Sequence, residues 1–232
     1  MQIHLLDSRL HFPDPSLVNE EGLVAVGGDL SAQRLLLAYR SGIFPWTAEP
    51  VTWWSPDPRA IFEFERFHVS RSLARTIRGE NFQITINKAF REVMEGCAAP
   101  APGRRSTWIS NEFVEAYTAL HKLGHAQSLE CWRGDKLAGG IYGVSIGSFF
   151  AGESMFHRVS NASKVALYYL VQVLRNWDFS LFDIQMLTPI TEQLGGSTIS
   201  RKEYLGRLAH AVKRPASADW SQKVIEPMEP TS

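Results

Sequence analysis

The stretch QSLECW-RGD-KLAGGIYGVSI-GS-FFAGESMF, residues 127–156, decides the fold. Gln127 to Trp132 reads as a strand, and Arg133-Gly134-Asp135 as a turn. Lys136 to Ile146 is a glycine-rich strand, and Gly147-Ser148 supplies a two-residue hairpin loop. Phe149 to Phe156 then returns as a third strand. Downstream, Asn161 to Trp177 is apolar on nearly every side and predicts a core helix. Phe179 to Leu187 predicts one more strand. Three antiparallel strands, a helix and a strand make an α+β arrangement.

Upstream of this block the reading is helical. Ser70 can cap a helix running to about Arg78, with Arg71, Arg75 and Arg78 on one face. Asn87 to Gly96 predicts a second short helix, and Pro100 to Arg105 a loop. Ser110 can cap a third helix, with Phe113, Ala116, Tyr117 and Leu120 inward and Gly124 at its end. Residues 1 to about 28 are turn-rich. Asp29 or Ser31 can cap the helix that follows, and Gly42 stands where a helix C-terminus favours glycine. Then comes an aromatic loop, Ile43-Phe44-Pro45-Trp46 through Trp53-Trp54-Ser55-Pro56-Asp57-Pro58-Arg59. Its X-Pro turns mark a domain boundary near residue 60. Residues 1–60 are therefore expected to form a small N-terminal domain and residues 61–214 a larger one, with a helix near 201–212. The segment 215–232, rich in Pro, Ser and Glu, is expected to be mobile.

Composition narrows the class. The chain has 232 residues, 44% hydrophobic, enough for a sizeable core, and seven Trp and thirteen Phe. Aromatic residues in such number suggest that some line a site. Formal net charge is zero, so nothing global signals nucleic acid. Residues 59–105 are locally basic, with nine Lys or Arg against five Glu and no Asp. Cys97 and Cys131 are too few for a disulfide scaffold or a zinc site and read as reduced thiols of a cytoplasmic protein. Neither a signal-peptide pattern nor a membrane-length apolar run appears, and no metal-like His spacing.

The candidate chemistry lies in the last strand. In an ideal strand Phe182, Ile184 and Met186 point into the core, while Asp183 and Gln185 share the other face. A central strand that buries a carboxylate beside an amide calls for a specific partner, whereas a solvated face needs none; spacing alone leaves both readings open. Glu153, among Phe149, Phe150 and Phe156, is either ion-paired, with Arg158 the nearest candidate, or functional. The strand order matches that of GNAT acyltransferases, which cradle a CoA pyrophosphate on a glycine-rich loop at a helix N-terminus. The segment here, His157 to Ala162, has no glycine, which argues against CoA. Another acyltransferase of that fold and a non-enzymatic tRNA-binding module are the rival readings.

Several strings together resemble the leucyl/phenylalanyl-tRNA–protein transferases: Gly27-Gly28-Asp29-Leu30, Ala38-Tyr39-Arg40-Ser41-Gly42-Ile43-Phe44-Pro45-Trp46, Trp53-Trp54-Ser55-Pro56-Asp57-Pro58-Arg59, Thr107-Trp108-Ile109, Gly152-Glu153-Ser154-Met155-Phe156, Asn161-Ala162-Ser163-Lys164 and Asp183-Ile184-Gln185. The resemblance runs from about residue 12 to about residue 208. It implies a small N-terminal domain and a GNAT-like domain with a mostly antiparallel sheet. The implied activity is transfer of Leu or Phe, also Met, from aminoacyl-tRNA to an N-terminal Arg or Lys, marking a protein for N-degron degradation. It implies a monomer without cofactor or metal.

By the same matching, an Asp-supported Gln role falls on Asp183 and Gln185. Glu153 is expected to meet the cationic acceptor or fix the amine. Trp46, Trp108, Ile141, Phe150 and Met155 are expected in the aminoacyl pocket, and Tyr39, Arg71 and Arg75 at the tRNA acceptor end. Ile141 stands where relatives often carry Met. Thr188-Pro189-Ile190 stands where the family often shows a polar trio, so substrate range is expected to differ there.

Overall fold

The computed structural model describes residues 4–79, 82–100, 107–221, 224–226 and 228. The loop expected at 100–105 lies outside these from residue 101 onward. In chain order the elements are β1 (Leu5–Leu6), β2 (Leu23–Gly27), α1 (Ala32–Arg40), β3 (Phe44–Ala48), β4 (Val51–Trp54), β5 (Arg59–Phe62), α2 (Arg71–Gly79), β6 (Gln83–Ile86), α3 (Phe90–Ala98) and α4 (Asn111–Lys122). They continue with β7 (Ala126–Arg133), β8 (Lys136–Ile146), β9 (Phe149–His157), α5 (Ala162–Asn176), β10 (Leu181–Gln185), α6 (Pro189–Gln193), β11 (Gly196–Ile199), α7 (Arg201–Ala211) and β12 (Val224–Ile225).

The fold is α+β, as expected. A four-stranded sheet ordered β1-β2-β4-β3 carries α1 and forms the small N-terminal unit. An eight-stranded sheet ordered β11-β5-β10-β9-β8-β7-β6-β12 forms the larger one. Within it only β9 and β10 pair in parallel. A parallel pair needs a crossover, and α5 supplies it. One face of the sheet is packed by α5, whose Val165, Leu167, Leu170 and Leu174 are buried. On the other, α3 and α4 bury Val93, Met94, Phe113 and Tyr117. No helix among the described residues is long and apolar enough to cross a membrane.

Local chemistry explains the boundaries. Ser31 accepts a hydrogen bond from Arg34 N and so caps α1, and Gly42, at φ +76°, ends it in left-handed backbone. Ser70 accepts from Leu73 N at the start of α2. Ser110 stands before α4 but makes no side-chain cap bond. The aromatic loop expected at 43–59 is instead a hairpin, β3 and β4, followed by β5. Aromatic residues favour strands; Pro45 sits in β3 beside a register shift, Pro50 at the hairpin turn, and Pro56 and Pro58 between β4 and β5.

The two units are pinned together by buried cations. Arg201, at the start of α7, donates to Ser55 O at 2.6 Å and to Asn19 O at 3.0 Å. Along its described residues the segment after Arg214 makes contacts with the larger unit. Trp220 packs edge-on against Trp177 and lies over Phe150, and β12 pairs with β6.

Candidate active site

The site forms where the parallel pair comes apart. Pairing of β10 with β9 ends at Asp183 opposite Ala151. Just beyond, Gly143 faces Gly152 and Tyr142 faces Ser154, so Glu153 is left over in a bulge. On β10 the register with β5 also slips between Asp183 and Gln185, and Gln185 sits at φ +55°. The expected alternation therefore stops at Asp183. Phe182 is fully buried, Ile184 half-buried, and Met186 is 43% exposed instead of in the core. A left-handed residue turns the chain, so positions beyond it no longer follow period two.

Across the split, the amide Nε2 of Gln185 donates to Glu153 Oε1 at 2.9 Å. The amide oxygen of Gln185 has no hydrogen bond among the described residues. The other carboxylate oxygen, Glu153 Oε2, accepts from Tyr117 Oη at 3.5 Å, and Tyr117 shares a short hydroxyl–hydroxyl bond with Tyr39. Arg158, the ion-pair partner considered for Glu153, instead lies over Phe156 and donates to Leu137 O. Burial pushes the Glu153 carboxyl up to about 8; the Tyr39 hydroxyl pulls it down, Asp183 raises it, and Arg59 and Tyr117 lower it. Burial likewise raises both phenols well above their ordinary value.

Asp183 is completely enclosed, and its four hydrogen bonds account for both oxygens. Oδ1 accepts from Arg59 Nε and from the Gln185 backbone N–H, each at 2.9 Å. Oδ2 accepts from Arg59 Nη2 at 2.7 Å and Tyr204 Oη at 2.8 Å. The expected contact between Asp183 and the Gln185 amide is absent; the carboxylate holds the backbone of Gln185 in its left-handed turn. Arg59 also donates to Gly42 O and stacks over Phe44 and Tyr204. Burial works against its charge, yet attraction to Asp183 and Tyr204 holds its pKa above the usual value.

Two cavities meet at the Gln185–Glu153 pair. One, of about 240 Å³, is walled by Phe44, Trp46 and Trp108. The other, of about 450 Å³, is walled by Ile141, Met155, Leu167 and Phe182. Both share Glu153, Ile184, Gln185, Met186 and Thr188. The residues expected in one aminoacyl pocket are thus divided, Trp46 and Trp108 in the first chamber and Ile141 and Met155 in the second. Phe150 lines neither; it is 1% exposed and packed among Phe179, Phe182 and Trp220, because its face of β9 looks onto the core. Tyr39, expected on a tRNA surface, is 1% exposed inside the protein. Arg71 and Arg75 are exposed on α2 and make no contact with the pair. Thr188 caps α6 in a capping box with Thr191. Among the described residues no His, Cys, Asp and Glu cluster is placed to hold a metal.

Sequence reasoning missed Arg59, Tyr204 and the site role of Tyr117. A signal for Arg59 existed: it opens the run Arg59-Ala60-Ile61-Phe62, and a cation within a buried strand requires an anion. Nothing local marks Tyr117 or Tyr204, whose partners are distant in sequence.

Comparison with known proteins gives a concordant result. The family model described as leucyl/phenylalanyl-tRNA protein transferase matches residues 61–209, and the model of that family's N-terminal domain matches residues 28–57. A leucyl/phenylalanyl-tRNA–protein transferase of Anaeromyxobacter sp. (strain Fw109-5) is 51% identical over 93% of each chain. One from Shewanella pealeana is 48% identical over 92% of each. Among solved structures, L-PGS from Bacillus licheniformis aligns with TM-score 0.43 and 10% identity over 78% of this chain and 70% of that one.

Proposed function

This chain belongs to the leucyl/phenylalanyl-tRNA–protein transferase family of aminoacyltransferase enzymes, and on that premise we infer that it moves Leu or Phe from an aminoacyl-tRNA onto the α-amino group of an acceptor protein. The observation that carries the reading is the Gln185–Glu153 pair at the junction of an aromatic and an aliphatic chamber. The aliphatic chamber, floored by Ile141 and Met155, takes the side chain being transferred. The aromatic one offers Trp46 and Trp108 as faces on which the terminal base of the tRNA can stack. The ester joining them then lies over Gln185.

The chemistry asks little of a base. The ester is already activated, and an α-amino group of pKa about 7.7–8.0 is roughly a tenth to a fifth unprotonated at pH 7. The amine attacks the ester carbonyl, the bond to the ribose oxygen breaks, and that oxygen leaves with a proton. Gln185 accepts a hydrogen bond from the amine through its free amide oxygen, since Nε2 is committed to Glu153. Orientation and hydrogen bonding to the developing charge supply the rate. Asp183, sealed behind Arg59 and Tyr204, is a positioning residue and takes no proton from substrate. With its pKa near 8, Glu153 is largely neutral at pH 7. It fixes the Gln185 amide and ionises in response to an ammonium group brought beside it.

The reading extends to Met as a further donor, to acceptors beginning with Arg or Lys, and to degradation as the fate of the product. Arg71 and Arg75, free of the site on an exposed helix face, meet the phosphates of the acceptor stem. The deciding assay mixes the protein with radiolabelled Leu-tRNA and peptides beginning with Arg, Lys or Ala. Label on the Arg and Lys peptides only is the expected result; no labelled peptide at all would overturn the reading.

A further inference from the structure

Tyr39 lies on α1 in the small unit, Tyr117 on α4, Glu153 on β9 and Gln185 on β10. Their side chains form one continuous hydrogen-bonded line, Tyr39–Tyr117–Glu153–Gln185. Tyr39 and Tyr117 are 1% and 0% exposed. A half-buried carboxyl lining both chambers, with one oxygen against Gln185, would otherwise be free to rotate between them. A second donor on the opposite oxygen removes that freedom.

We propose that Tyr39 and Tyr117 are positioning residues for Glu153, through which the small N-terminal domain sets the orientation of the Gln185 amide. Tyr117 donates to Oε2 and leaves Oε1 to Gln185. Tyr39 bonds the Tyr117 hydroxyl, fixing its rotor so that its proton points at the carboxyl, and the hydroxyl of Tyr39 itself also favours the charged form of Glu153. Other groups act on Glu153 as well: Asp183 and Arg59 across β10 and β5. Tyr142 provides a contrast within the same aromatic cluster. It packs edge-on against Tyr117, with ring centroids 5.7 Å apart, yet its buried hydroxyl has no partner among the described residues. The proposal rests on the transferase reading only for its effect on rate.

The test compares Tyr117→Phe, Tyr39→Phe and Tyr142→Phe in the full chain. The first readout is carbon-13 NMR titration of the Glu153 side-chain carboxyl, which needs no substrate. Donors to a carboxylate favour its charged form, so losing Tyr117 Oη raises the Glu153 pKa above its starting value of about 8. The second readout is transfer kinetics. Tyr117→Phe lowers kcat about tenfold and leaves KM for Leu-tRNA in place, and Tyr39→Phe acts in the same direction. Tyr142→Phe moves neither quantity, although it removes a hydroxyl from the same cluster. Thermal unfolding identifies any variant that is misfolded, and the other tyrosine variant then carries the test. An unaltered Glu153 titration in Tyr117→Phe, or an equal shift in Tyr142→Phe, overturns the proposal. An unmodified protein without transfer activity refutes the function while the titration still decides the positioning role.

Discussion

Arg59 and Asp183 meet in a two-point ion pair, Nε to Oδ1 at 2.9 Å and Nη2 to Oδ2 at 2.7 Å, with side-chain exposures of 1% and 0%. The pair joins β5 to β10 and, through the Gln185 backbone N–H, holds the turn that presents the amide. Asp183→Ala leaves a buried guanidinium without its counter-charge, at a cost of about 3–5 kcal/mol. Urea unfolding of the variant checks this. Arg59→Met with Asp183→Leu recovers much of the stability but not the transfer activity, because the Gln185 N–H still lacks its acceptor. Activity returning with stability would show that Asp183 serves the fold alone.

Glu153 makes stability depend on pH. Its folded pKa of about 8 lies above the 4.5 of a free carboxyl, so the folded protein binds this proton more tightly than the unfolded chain. The contribution is fully present below about pH 4.5 and is lost as pH rises through about 8. Urea midpoints measured across that window fall for the unmodified protein. Glu153→Gln, which carries no titrating proton, flattens this part of the profile. A profile of equal slope in both proteins would refute the assignment.

The chamber floored by Ile141 and Met155 is proposed to receive the transferred side chain and so to set side-chain preference. An apolar pocket discriminates one methylene by about 1–3 kcal/mol, so Ile141→Ala raises the ratio of kcat/KM for Phe-tRNA over Leu-tRNA about tenfold or more. Competition between the two charged tRNAs measures the ratio directly. Phe150→Ala, by contrast, costs stability, because Phe150 belongs to the core.

Arg71 and Arg75 are predicted to act through charge alone. Replacing both with Gln weakens binding of any aminoacyl-tRNA uniformly. It also lowers the slope of log affinity against log salt by about 1 for each phosphate that is no longer neutralised. Filter binding at a series of salt concentrations reads the slope; an unchanged slope places the tRNA elsewhere.

Gly195 is a backbone requirement just after the Thr188-Pro189-Ile190 departure. It sits at φ +92°, and a Cβ there would lie 2.1 Å from Arg66 O. Gly195→Ala destabilises by more than about 1 kcal/mol and shifts α6, which borders the aliphatic chamber. Loss of stability by urea unfolding, with a changed Leu-to-Phe ratio, is the expected outcome.

What the sequence makes legible is local. The hairpins of β7, β8 and β9 follow from alternation and glycine turns, and α5 from its apolar run. Strands β5 and β11 have four residues each, too few for periodicity to declare them, and prolines hide β3 and β4. Asp183, Gln185 and Glu153 stand out because polar groups in a central strand need partners. Which partners they have is not legible: Tyr39 meets Tyr117 across 78 residues and Arg59 meets Asp183 across 124. The face shared by Asp183 and Gln185 fails for a conformational reason, since no residue type announces a glutamine in left-handed backbone.

The place of β5 in the sheet bears on how the protein is made. A ribosome releases Arg59 long before its carboxylate, 124 residues later, and its phenol, 145 residues later. Both neighbours of β5 in the sheet, β10 and β11, are also late products. The β7–β9 hairpins need only short loops to close, whereas β5 can pair only after distant strands have emerged. Nascent chains that stop short of Asp183 therefore carry Ile141, Met155 and Leu167 of the aliphatic wall but neither the ion pair nor Gln185.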